Sequence, residues 1–338
     1  MFDVCVVGLG AIGTFYACAL ERTGKVRVTA VCRSNFDILS QRGVELVSDR
    51  LGTNVWKPHR AVRNPAEAAD RRYRFVICAV KALPDVLPTS KLLAPLLSSA
   101  DTFVLVQNGI DIHKDLQDAQ PDAEIISSCA WSDATTVDGG RRVVQAGPDG
   151  LTSGVHWSSS NKNATEEKGA ESLQLLHDLL SQGGVQSEIT DDISAARWRK
   201  VLWNAVISTL CTVTQSPVAD ILSSDQLPTM LPVVEAVMAE VVSVARGMGI
   251  DASKLPEQSA TSVIEGCMNQ YSDTRSPNPS RFKPSMLVDL EAGRPMEVEP
   301  IVGNVVRAAR SCGVAVPRLE MLYAQLKVMQ RRLLRTGE

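Results

Sequence analysis

Six residues near the start of the chain restrict its fold more than any others. Gly8-Leu9-Gly10-Ala11-Ile12-Gly13 follows directly on the apolar run Val4-Cys5-Val6-Val7 and opens a helix-like stretch. In such a turn each glycine has its own task. The first permits a tight reversal, the second lets the backbone come close to a pyrophosphate, and the third lets helix and strand pack closely. The free N–H groups and dipole of the helix N-terminus then favour an anion. Glycines also serve ordinary turns, so it is the placement between strand and helix that gives this pattern its weight.

The rest of the first half keeps the same rhythm. Residues 2–7, 26–32, 75–80, 102–106 and 124–131 are short apolar runs, several bounded by polar residues, as strands buried on both faces are. Helix-forming stretches, over 11–21 and ending near Arg42, alternate with them. Alternation of this kind predicts an α/β domain with a doubly wound parallel sheet and right-handed crossovers. Residues 141–145 and 151–157 flank Ala146-Gly147-Pro148-Asp149-Gly150 and read as an antiparallel hairpin. The polar residues 158–168 read as a surface loop, and 185–190 as the last strand. From Asp191 onward the pattern is that of long amphipathic helices, chiefly 193–212, 231–247 and 297–312. The expected organisation is a Rossmann-type domain over 1–190 and an all-α domain over 191–338.

Composition narrows the partners. The chain has 338 residues, a net charge of −3, and lysine and arginine spread along its length. Nucleic acid or an anionic membrane as main partner would call for a basic surface, so neither is expected. The eight cysteines lack the short spacing of a zinc or redox pair, and no metal site is expected. Several lie in apolar runs, where a reduced thiol acts as a small hydrophobe. Reduced thiols, a first strand that begins at once, and the lack of an apolar run near about 18 residues lead to a cytoplasmic expectation.

The end of the second strand bears on the nucleotide. An NAD site usually has an acid there for the ribose 2′-hydroxyl, whereas this strand ends in Arg33-Ser34. A guanidinium suits a 2′-phosphate, with Ser34 adding a hydrogen bond, so NADPH/NADP is expected over NAD. A solvated arginine on a loop would look the same. Lys81 and Asn108-Gly109 stand just past two further strands, at the carboxyl ends where open α/β sheets bind ligands. A solvated lysine and an ordinary turn would account for them equally well.

In the second half, Lys200, Asn204 and Ser208 are spaced at i, i+4 and i+8 and share a helix face among apolar neighbours. A lysine so placed can donate a proton to a carbonyl oxygen, or can snorkel at a helix edge. Ser285 and Asp289 are one helical turn apart. Glu297 opens the next helical stretch, where helix capping alone would explain a carboxylate.

Taken in order, Gly8–Gly13, Arg33, Val80-Lys81-Ala82, Gln107-Asn108-Gly109, Trp198-Arg199-Lys200 with Asn204, and Ser285-Met286-Leu287-Val288-Asp289 with Gly293-Arg294 and Glu297 resemble the ketopantoate reductase (2-dehydropantoate 2-reductase) family. The resemblance runs through nearly the whole chain. It implies a Rossmann domain and a helical domain with the active site in the cleft between them, a small keto-acid substrate, and a place in pantothenate and coenzyme A synthesis. It implies Lys200 as general acid and Glu297 as the carboxylate beside that lysine and the cofactor ribose. Asn204 and Ser285 would hold the substrate, and Lys81 and Asn108 would contact the cofactor where it borders the substrate. Gly8, Leu9, Gly10, Ala11, Ile12 and Gly13 would form the phosphate turn.

The chain also departs from that pattern. Ser208 stands where a second asparagine is usual, a further substrate asparagine falls near Val218, and the usual Asn-Gly after Glu297 is Val302-Gly303. Two alternatives follow: the same chemistry on another 2-keto acid or secondary-metabolite carbonyl, or a non-catalytic NADP(H) sensor. The sequence leaves the oligomeric state open, a homodimer included.

Overall fold

The computed structural model describes residues 1–156 and 162–336. The chain divides into two compact units. One comprises Met1–Lys81, Leu87–Gln107 and Ile112–Ile193; the other comprises Ala82–Val86, Asn108–Asp111 and Ser194–Glu338. The expected class holds: an α/β sheet unit and a largely helical unit.

Among the described residues of the first unit are twelve strands: β1 (Phe2–Val7), β2 (Val26–Val31), β3 (Val44–Ser48), β4 (Gly52–Trp56), β5 (Arg60–Val62), β6 (Phe75–Cys78), β7 (Thr102–Leu105), β8 (Glu124–Ala130), β9 (Asp133–Val137), β10 (Arg142–Ala146), β11 (Leu151–His156) and β12 (Ser187–Ile189). Eight form the main sheet in the order β12-β11-β8-β7-β6-β1-β2-β5. The pairs from β8 through β5 are all parallel, and β11 joins β8 antiparallel. All four residues of β6 and of β7 are buried, as central strands covered on both faces require. The carboxyl ends of β1, β2, β6 and β7 therefore lie along one edge, with Gly8, Arg33 and Val80 just beyond them.

The remaining strands make a second sheet, β4-β3-β10-β9. This corrects the hairpin expected from 141–145 and 151–157. β10 pairs with β3 and β9, whereas β11 pairs with β8 and β12, so the flanking runs belong to different sheets. The crossing is pinned at Asp149, which is 4% exposed and accepts from Tyr16 Oη, Ser132 Oγ and the Gln186 N–H. A glycine-rich linker satisfied by tertiary bonds need not be a two-strand turn. The loop expected over 158–168 is corrected as well, because the helix Lys162–Gln182 has already begun; positions 157–161 lie outside the described residues.

The helix Ala11–Arg22 packs against β1 and β2 on one side and β9 and β10 on the other. Eight consecutive residues, Gly13 to Leu20, are buried. A helix apolar all round has cover all round, and here the small sheet supplies the second cover.

The second unit encloses its own core, built around Trp198, Leu202, Val206, Val237, Val241, Val305 and Leu326. One of its helices, Leu227–Gly247, is long and apolar enough to cross a membrane by length and composition, contrary to expectation. The run is interrupted by Pro232, Glu235 and Glu240, so it is not continuous in sequence. Its Val234, Val237, Met238, Val241 and Val244 are core residues, and Glu240 accepts from the Arg318 and Leu319 N–H groups.

Both helices expected at 193–212 and 297–312 are interrupted. The first runs Ile193–Trp203, passes through a π-turn at Asn204–Ser208 and resumes over Thr209–Thr214. The second has a π-turn at Glu299–Gly303 ahead of Asn304–Cys312. The two wide turns pack on each other within the second unit. Such turns gather at functional sites in many proteins.

Candidate active site

The glycine turn has the geometry of a phosphate cradle. Gly8 has φ +97°, and a Cβ there would lie 2.7 Å from Val80 N, at the end of β6. A Cβ on Gly13 would lie 1.9 Å from Gly8 O, so only glycine lets the helix begin this close to the strand. A Cβ on Gly10 would have no atom within 4 Å. Packing thus demands glycine at 8 and 13 but not at 10, where the free space suits a ligand. The first helical bond joins Thr14 N–H to Gly10 O at 2.9 Å. The N–H groups of Ala11, Ile12 and Gly13 consequently have no partner inside the helix.

Arg33 and Ser34 are both exposed just past β2. Next to them, Asn35 Nδ2 donates to Leu9 O at 2.7 Å and ties the end of β2 to the glycine turn. Arg63 lies over the Phe36 ring, 4.0 Å from its centroid, and pairs with Asp37 at 2.9 Å. The glycine turn and the loop after β2 are therefore linked, and their residues fit a dinucleotide.

Glu297 is the centre of polar bonding in the second unit. It is 5% exposed and stands just ahead of the helix that starts at Val298, one position earlier than a first-turn acid. Its Oε1 accepts from the Ala82 N–H at 3.0 Å and its Oε2 from Asn108 Nδ2 at 3.0 Å. A buried carboxylate is costly unless its lone pairs are bonded, and bonds to a charged acceptor are worth about 1.5–3 kcal/mol each.

Asn108-Gly109 is accordingly more than a turn. Gly109 has φ +96°, and a Cβ there would lie 2.3 Å from Pro300 O. Ile110 N–H donates to Pro300 O at 3.1 Å, and Asn304 Nδ2 donates to Ile110 O at 2.6 Å. Arg197, 3% exposed, donates from Nη1 to Gly109 O at 2.9 Å. Sequence reasoning passed over Arg197, yet its i, i+3 spacing to Lys200 on an apolar helix was a usable signal.

Lys200 is half-buried on the helix Ile193–Trp203. Asn204 and Ser208 occupy the first and last positions of the π-turn and are 8% and 2% exposed. A π-turn has more residues per turn than an α-helix, so it takes back part of the drift that ideal i+4 steps accumulate. Neither the Asn204 amide nor the Ser208 hydroxyl has a hydrogen-bond partner among the described residues. Ser285 is exposed at the first position of the helix Ser285–Glu291, and its hydroxyl meets none of the other named residues. Lys81 is exposed immediately before Ala82. Val218 is fully buried in the apolar core of this unit, with its N–H donating to Phe282 O at 3.1 Å. It is therefore a packing residue.

Glu299, also overlooked, is 8% exposed. Burial pushes its carboxyl up, but bonds from Lys327, Arg307 and Tyr323 outweigh that and hold it below the usual glutamate range.

Known proteins support the same layout. Residues 4–156 match the family described as ketopantoate reductase PanE/ApbA, and 192–330 match its C-terminal part. A 2-dehydropantoate 2-reductase from Methylococcus capsulatus is 30% identical, with 98% of this chain and 97% of that one covered and a TM-score of 0.79. A 2-dehydropantoate 2-reductase from a Nostoc species is 27% identical over 98% of this chain and 96% of its own. A structure of D-mandelate dehydrogenase with NADH and anilino(oxo)acetate, 20% identical with a TM-score of 0.76, covers 98% of this chain and 99% of its own; it shares the fold alone. With both halves matched in order, the chain belongs to the ketopantoate reductase PanE/ApbA family.

Proposed function

We propose that the protein is an NADPH-dependent reductase of a small 2-keto acid, with 2-dehydropantoate as the first substrate to consider. When bound, NADPH supplies the hydride that adds to the keto carbon. Gly8, Gly10 and Gly13 leave room for its pyrophosphate against the N–H groups of Ala11, Ile12 and Gly13. Arg33 and Ser34 take the 2′-phosphate, and Lys81 and Asn108 border the nucleotide.

In this reading the ammonium of Lys200 donates a proton to the substrate oxygen as negative charge builds there, so ketone becomes alcohol with one hydride and one proton added. Glu297 stands near that ammonium and the cofactor ribose and orients them. Asn204, Ser208 and Ser285 bind the remaining polar groups of the substrate.

The observation that carries the reading is the state of Asn204 and Ser208. Neither side chain is hydrogen-bonded to a described residue and neither counts among the sealed, unpaired polar groups, so both stay open to a partner from solution just after Lys200 in the chain.

The serine at 208 also favours a second reading, the same chemistry on a differently shaped 2-keto acid. A hydroxyl reaches less far than an asparagine amide, and a site that loses a designed partner discriminates poorly. NADPH oxidation measured against 2-dehydropantoate and a series of bulkier 2-keto acids separates the two. The primary reading expects the highest kcat/KM with 2-dehydropantoate; a better bulky acid selects the second, and no turnover with any contradicts both.

A further inference from the structure

The bonds to Glu297 come from Ala82 and Asn108, on the short segments 82–86 and 108–111 of the second unit. Whatever fixes those segments fixes the carboxylate. Segment 108–111 is held by Pro300 O, Asn304 and Arg197. Segment 82–86 is held through Asp85, which accepts from Gln330 Nε2 at 3.3 Å and lies 3.6 Å from Lys327 Nζ.

Both of these partners lie on the helix Pro317–Thr336, and each reaches a second target. Gln330 is 1% exposed; its Oε1 accepts from Met296 N–H at 2.9 Å, and its Nε2 also donates to Met296 O at 3.1 Å. Lys327 Nζ donates to Glu299 Oε1 at 2.5 Å. Tyr323 Oη bonds both Glu299 oxygens at 3.0 and 3.1 Å, and Arg307 Nη1 donates to Oε2 at 2.8 Å. Tyr323, Lys327 and Gln330 are spaced i, i+4, i+7 and share one face. That face therefore grips Met296 and Glu299, on either side of Glu297, together with the segment that carries Ala82. A Cβ on Gly303 would come within 2.6 Å of Glu299 Oε2, so a glycine there keeps the carboxylate in place.

Ion pairs at the surface contribute little. Here Glu299 and Gln330 are shielded from water, and unmaking one bond leaves a partner unsatisfied. We propose that Glu299, Lys327 and Gln330 form a positioning brace that sets the Glu297 carboxylate for the reaction, without touching substrate or cofactor. This rests on the reductase reading for its kinetic consequence only.

The test compares Lys327→Met, Lys327→Arg, Gln330→Leu and Tyr323→Phe with the unaltered protein. Two readouts are taken: kcat and KM for NADPH and keto acid, and hydrogen exchange at the Ala82 and Met296 amides. A misplacement of about 1 Å can cost on the order of a hundredfold in rate. Lys327→Met and Gln330→Leu are expected to lower kcat about tenfold to a hundredfold and to speed exchange at both amides. Lys327→Arg is expected to recover most of both. Should Gln330→Leu not fold, Tyr323→Phe, which loses one hydroxyl, is expected to move both readouts in the same direction by less. Unchanged kcat and unchanged exchange at Ala82, with only a lower Tm, overturn the brace. If the unaltered protein reduces no 2-keto acid, the reductase reading fails, and amide exchange alone decides the brace.

Discussion

Asn108 Nδ2 donates to Glu297 Oε2 at 3.0 Å, joining residues 189 positions apart. The other carboxylate oxygen accepts from a main-chain N–H that cannot turn around, that of Ala82. A glutamine at 297 can keep its oxygen on Ala82 and present its NH₂ to Asn108, whose amide can flip to offer oxygen. Glu297→Gln should therefore preserve Tm while removing the charge. We expect kcat to fall by at least about tenfold, less than the roughly 10²–10⁴-fold of losing the general acid itself, since Lys200 remains. Glu297→Ala should lower Tm as well, since it leaves two donors unpaired.

The glycine turn separates folding from binding. Gly13→Ala places a methyl against Gly8 O and should unfold the first unit or sharply lower its Tm. Gly10→Ala meets no protein atom, so its circular dichroism and Tm should match the parent. Its methyl would project toward a bound pyrophosphate, and calorimetric titration should give an NADPH Kd raised at least about tenfold. Equal effects of the two substitutions on Tm would speak against this division.

Arg33 tests the choice of nucleotide. A charge-assisted bond to phosphate is worth roughly twice a neutral one. Arg33→Ala should weaken NADPH binding by about one to two orders of magnitude, given about 1.5–3 kcal/mol per such bond, and leave NADH binding nearly unchanged. Equal catalytic efficiency with NADH and NADPH in the unaltered protein would contradict the assignment.

Much of this was legible in the sequence. The glycine turn, β1, β6, β7 and the helical second half follow from apolar periodicity and its punctuation, which are local properties. The small sheet was not legible because β4 and β9 alternate poorly and are largely exposed, and because β3 pairs with β10 across almost 100 positions. One local trace existed, the apolar run Phe15-Tyr16-Ala17-Cys18-Ala19-Leu20, too broad for a helix with one covered face. The π-turns left no trace, since Asn204–Ser208 and Glu299–Gly303, which pack on each other, lie almost 100 positions apart in the chain. Glu299 and Gln330 look like surface residues in sequence. Their burial follows from where the chain returns, which spacing does not encode.

Acid should reveal Glu299. Its folded pKa is depressed, with Lys327, Arg307 and Tyr323 overcoming the opposing effect of burial. The unfolded chain therefore takes up this proton first as pH falls through about 4.3. The stabilisation is complete above that value and is lost as pH drops toward the lower folded pKa. Glu299→Gln should lower Tm at pH 7 and flatten the fall in Tm between about pH 5 and pH 3. A variant with the parental slope would mean that other carboxylates dominate the acid limb.

The proton donor is the centre of the account, and single-turnover reduction by Lys200→Ala addresses it most directly. With NADPH affinity and circular dichroism matching the parent, the account predicts a rate at least about a hundredfold lower, in keeping with loss of a general acid. Turnover near the parental rate would contradict it and leave Lys200 a half-buried lysine on a helix edge.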